Sequence, residues 1–115
     1  GESPPLPVLC GMLGGSPDSD EVRMLTGKAP IPVKDLVWID AWEAAGEGHG
    51  DTWSSSNPFA AAELLPSKRT SYVLAPPPAA GGRGHVTKAS VFANSLIPGS
   101  LPPSCHYGVV ADIRY

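Results

Sequence analysis

The chain has 115 residues, the size of one domain, and its 42% apolar content supports a thin core and argues against wholesale disorder. Glycine (13) and proline (14) make up close to a quarter of it, which implies a compact body with stiffened loops. The formal charge of −3 gives no overall basic field for a phosphate backbone, so no nucleic-acid partner is expected.

The charge is unevenly spread. Residues 1–51 hold nine acids and three bases, a balance of −6, whereas residues 52–115 hold two acids and five bases, a balance of +3. If these halves separated in space, the molecule would be a dipole able to pack head to tail with its copies. No run reaches the ~18 apolar residues of a membrane span, and no basic-then-apolar leader opens the chain, so no membrane partner is expected. Cys10 and Cys105 are too few for a disulfide framework. Free, buried thiols are the expectation, although one bridge between them would close a very long loop.

In chain order, residues 1–15 read as an extended N-terminal arm. Pro4, Pro5 and Pro7 fix φ, remove amide donors and favour polyproline II. The apolar run that follows, Val8, Leu9, Cys10, Met12 and Leu13, needs a surface to cover it. It fits either an edge strand of the body or an arm that docks on a partner by strand addition. Residues 16–115 read as a single β-rich domain. Asp18 and Glu21 have capping-box spacing for a short helical turn through Val22–Leu25, stopped by Gly27. Val33–Asp40, rich in β-branched and aromatic residues, reads as a strand; residues 41–56 read as a loop. Asn57–Leu65 has an N-cap, proline at the first helical position and Pro66 as a stop, which predicts a two-turn helix.

Ser71–Ala75 and His85–Ala93 read as strands, the second with Val86 and Phe92 on one face and Ala89 and Val91 on the other. The tail alternates most cleanly: Tyr107, Val109, Ala111, Ile113 and Tyr115 against Gly108, Asp112 and Arg114. Prolines flank most of these segments, which suits short edge pairings. The expected fold is all-β, or β-rich with one short helix, in one small domain with an extended arm.

The residues suited to chemistry do not assemble into a motif. Cys105 could act as a nucleophile, yet His106 is its neighbour on an extended segment and points to the opposite face. A base would have to come from His49 or His85, oriented by Asp51 or Asn57. His49, Asp51, His85, His106 and the cysteines are zinc-ligand types without ligand spacing on one element. The glycine clusters at Gly14–Gly15 and Gly81–Gly84 lack a phosphate-loop pattern. No catalytic residue, metal or cofactor is expected. Trp42 and Trp53, in a loop of small residues, are candidate interface anchors together with Pro4, Pro5, Leu6, Val8, Leu9 and Leu13.

Tyr72-Val-Leu-Ala75, the Ala79–Gly82 loop, Val86–Phe92 and Ala93-Asn-Ser-Leu96 together resemble the second half of small phage head-decoration proteins. Gly27-Lys-Ala-Pro30 and Val33–Ile39 precede this stretch, so the resemblance covers about half the chain; the proline-rich loops and residues 41–56 depart from it. The resemblance implies a non-enzymatic protein that trimerises on a capsid lattice and grips the shell with its arm, Gly1–Leu13. The expectation is therefore a structural or assembly protein whose partners are its own copies and a larger protein assembly. Its expected location is the virion if the resemblance holds and the cytoplasm otherwise. The alternatives are a small hydrolase or transferase using Cys105, and a monomeric binding module using Trp42 and Trp53.

Overall fold

A computed structural model describes residues 5–54, 56–58, 66–92 and 106–114. Along these residues run β1 (Leu9–Met12), α1 (Asp20–Leu25), β2 (Ile39–Asp40), α2 (Ala41–Ala45), β3 (Ser71–Ala75), β4 (Val86–Phe92) and β5 (Gly108–Ile113). The strands form two antiparallel sheets, one ordered β1-β3-β2 and the other pairing β4 with β5. The fold is β-rich, with two short helices among the described residues.

β3 organises the core because its side chains alternate between two apolar clusters. Tyr72 and Leu74 face Val22 of α1, with Leu13, Leu25 and Trp38 packed round them. Val73 and Ala75 face the other way, against Ala41 and Ala45 of α2, Val86 of β4, and Ala111 and Ile113 of β5. A strand apolar on both faces is what Ser-Tyr-Val-Leu-Ala encodes, and Leu74 and Ala75 are fully buried. The predicted alternation of the tail is present in β5: Tyr107, Val109, Ala111 and Ile113 are more enclosed than Val110, Asp112 and Arg114.

Several local expectations are corrected. The strand expected over Val33–Asp40 shrinks to Ile39–Asp40. Pro30 and Pro32 lack ladder donors, and Asp35 adopts φ 63° within a turn closed by the Leu36 amide donating to the Val33 carbonyl at 3.1 Å. Residues 41–45, expected as loop, form α2, with the Asp40 carboxylate accepting from the Trp42 amide at 3.0 Å. The expected capping box at α1 is absent: Ser19 is the N-cap, with no side-chain cap bond, and Asp18 instead accepts from the Ser16 hydroxyl at 2.8 Å. That bond is the main reason the Asp18 carboxyl is held below the usual carboxylate range.

In β4 a register shift between Val86 and Lys88 places Val86 and Ala89 in the interior and leaves Phe92 exposed, so the expected partition of faces does not hold. The two halves of the sequence interleave at β3, which lies between β1 and β2, and Arg69 of the second half pairs with Asp40 of the first. The helix expected at Asn57–Leu65 falls mainly on residues 59–65, outside the described residues, as does Cys105.

Candidate functional site

Of the two readings open for the N-terminal apolar run, the structure places Leu9–Met12 as the edge strand of the three-stranded sheet, with Leu9 opposite Leu74 and Met12 opposite Ser71. The Leu13 amide continues the ladder, donating to the Thr70 carbonyl at 2.8 Å. In an antiparallel pair the amides alternate in direction, so those of Leu9, Gly11 and Leu13 face β3 while those of Val8, Cys10 and Met12 face away. Among the described residues no hydrogen bond engages these three outward amides.

All four β1 residues are exposed. Val8, Leu9 and Met12 keep 46%, 38% and 59% of their surface open, whereas Leu13 turns inward onto the Val22 cluster. Edge strands in soluble proteins are usually blunted by charge, a proline or a bulge; here no charged residue occurs between Ser3 and Pro17. Beside the strand, Cys10, Met12, Val73, Phe92 and Val109 line a mainly apolar groove of about 310 Å³ between the two sheets. Phe92, 53% exposed, lays its ring over its cross-strand partner Gly108, where a Cβ would collide with it.

The other candidate residues lie elsewhere. Pro4 is outside the described residues; Pro5 is exposed and Leu6 half-buried. Trp42 is buried, its indole N–H donating to the Gly48 carbonyl at 3.0 Å and its ring filling the space a Cβ on Gly46 or Gly50 would need. It packs the 46–50 loop and presents little surface to a partner. Trp53 pairs its backbone with Lys68, and its ring meets His106 at 4.9 Å and 53°. These three residues, with Met12, Gly14 and Thr70, line a second cleft of about 210 Å³. The Trp53 indole N–H is buried without an acceptor.

A polar network braces the sheet beneath β1. Arg69 and Asp40 form a buried ion pair at 2.6 Å, and the Arg69 guanidinium lies 5.0 Å from the centre of the Tyr72 ring. The Tyr72 hydroxyl is shared between the carbonyls of Gly15 and Arg69, at 2.7 and 3.0 Å. Burial, opposed by Arg69, pushes the Tyr72 phenol up to about 12. The buried Thr52 hydroxyl accepts from the Thr70 and Ser71 amides, and its carbonyl accepts from the Tyr107 amide. Each of these groups is occupied in holding segments together, which is a structural task.

The residues suited to catalysis are dispersed. His49 and His85 are exposed, Cys10 is a free thiol on β1, and His106 packs on Trp53. No group of His, Cys, Asp and Glu suited to a metal ion occurs among the described residues, and none of their helices is long and apolar enough to cross a membrane. Comparison with protein-family models, curated proteins and solved structures finds no match for this chain.

Proposed function

We propose that this chain is a non-enzymatic structural or assembly protein that docks through the free edge of β1 and the apolar surface beside it. The observation that carries this reading is an exposed, uncharged, proline-free edge strand, its outward amides open, bordering an apolar groove that includes Met12 and Phe92. Addition of a strand to this edge would satisfy the amides of Val8, Cys10 and Met12 and cover their side chains together. A capsid-decorating protein is the most specific form of this proposal; it rests on the sequence resemblance and makes the N-terminal segment the element that grips a larger assembly.

Sedimentation velocity over a concentration series tests the reading, with the substitution Met12→Lys at an exposed β1 position. The wild type is expected to associate, and the variant to stay monomeric with an unchanged circular-dichroism spectrum. A wild type that is monomeric at all concentrations, and that binds no larger assembly, overturns the proposal.

A second reading, a monomeric binding module, draws on the Trp53 cleft. Its lining of Met12 and Trp53 with one lysine suits a small apolar carboxylate, and the Trp53 indole N–H has no acceptor. Quenching of tryptophan fluorescence by benzoate, abolished by both Trp53→Phe and Lys68→Met, would favour this module over the assembly protein.

A further inference from the structure

We infer that the strand received by β1 is β1 of a second copy, paired antiparallel about a two-fold axis at Cys10. This inference rests on the assembly reading and names the partner and register. The outward-facing amides are those of Val8, Cys10 and Met12, spaced symmetrically about Cys10. A two-fold axis there sets Cys10 opposite its own copy and Val8 opposite the other copy's Met12, so every outward rung meets an outward rung.

Proline placement agrees with this register. Pro5 and Pro7 share the parity of Leu9 and Gly11, whose amides face β3, so their missing donors leave the outward ladder complete. Charge agrees as well: with no ionisable side chain except Cys10 from Ser3 to Pro17, self-pairing brings no like charges together, and a charged partner strand finds nothing to pair with. Residues opposite each other in a ladder share a face. The incoming Val8 side chain therefore falls beside Met12, on the face that carries the groove with Val73 and Phe92. The result is a continuous six-stranded sheet, β2-β3-β1 joined to its copy, with no free β1 edge.

This register makes Cys10 a reporter. Hydrogen-bonded antiparallel partners lie about 5.5 Å apart at Cα, within the ~4.4–6.8 Å that a disulfide spans. With glutathione disulfide as oxidant, one Cys10 thiolate displaces glutathione to form a mixed disulfide, and the second Cys10 displaces the other glutathione. Two protein thiols and one glutathione disulfide thus give one intermolecular disulfide and two glutathione thiols.

The test uses full-length protein carrying Cys105→Ser, with folding of each variant checked by circular dichroism. Cys10 is expected to yield a covalent dimer on a non-reducing gel. In a further Cys10→Ser background, Val8→Cys alone and Met12→Cys alone are expected to cross-link at least tenfold more slowly. Each would sit four residues out of register with its copy, roughly 14 Å away along the strand. A mixture of the two variants is expected to cross-link as a heterodimer. Protein that associates in sedimentation but links at position 8 as fast as at position 10, or fails to link the mixture, overturns the register and leaves the assembly reading intact. Protein that never associates overturns the pairing of copies, and protein that also binds no larger assembly overturns the assembly reading with it.

Discussion

β3 and β1 are neighbours in one sheet and nearly equal in length, yet they live in opposite environments. β3 buries Tyr72, Leu74 and Ala75 between two apolar clusters, with strands on either side. β1, equally lacking in charge, has one strand beside it and four exposed residues. Apolar composition alone therefore does not separate a core strand from an exposed edge strand; position in the sheet does. Substitutions along β3 and its polar braces should disturb folding, and substitutions along β1 should disturb association only.

The largest effect is expected at Arg69. Arg69→Ala leaves the buried Asp40 carboxylate without its partner, and loss of such a partner costs about 3–5 kcal/mol, a large share of a small domain's stability. Urea denaturation of this variant should show a midpoint far below wild type. Leu74→Ala removes a fully buried side chain from the Val22 cluster and should cost about 2–5 kcal/mol in the same measurement, according to how far the cluster collapses.

Tyr72→Phe is expected to act more mildly, by about 1–2 kcal/mol, by removing the hydroxyl shared between the Gly15 and Arg69 carbonyls. It should also change the alkaline limb of the stability curve. The Tyr72 phenol is raised from 10.0 to about 12 in the fold, so the folded chain holds this proton more tightly than the unfolded chain does. Its contribution is present in full below pH 10 and is lost as pH climbs from 10 towards 12. Urea midpoints measured across that window should fall more steeply for wild type than for the Phe variant. The smallest stability effect belongs to β1: Met12→Lys, at a site 59% exposed, should stay within about 0.5 kcal/mol of wild type. An equal loss at Met12 and Leu74 would erase the contrast between the strands.

The sequence makes two of the strands legible and the turns between the elements much less so. β3 and β5 are readable because alternation and apolar content agree with where their residues end up. Residues 33–38 carry the same apolar signal, yet the prolines before them and the αL-tolerant Asp35 divert the chain into a turn, a local conflict that periodicity does not register. α2 had a signal that a loop reading overlooks: Asp40 and Glu43 stand in N-cap and N3 positions ahead of the glycine-rich stretch. The irregularity between Val86 and Lys88 has no such marker, and it decides which face Phe92 joins.

At the candidate site, the apolar run from Val8 to Leu13 is evident from composition. Its pairing with β3, some 60 residues away, is not, because strand pairing over that separation leaves no local pattern. Trp53 stands out in the sequence as an aromatic among small residues. The cleft it lines also needs Lys68, Thr70 and His106, which only tertiary structure brings to it.

Hydrogen exchange at the β1 amides probes the outer rungs themselves. If this margin takes up another strand, exchange at Val8, Cys10 and Met12 should slow progressively as protein concentration rises, while exchange at the β3 amides stays constant. Rates at those three positions that stay fast and equal from dilute to concentrated solution would contradict the account.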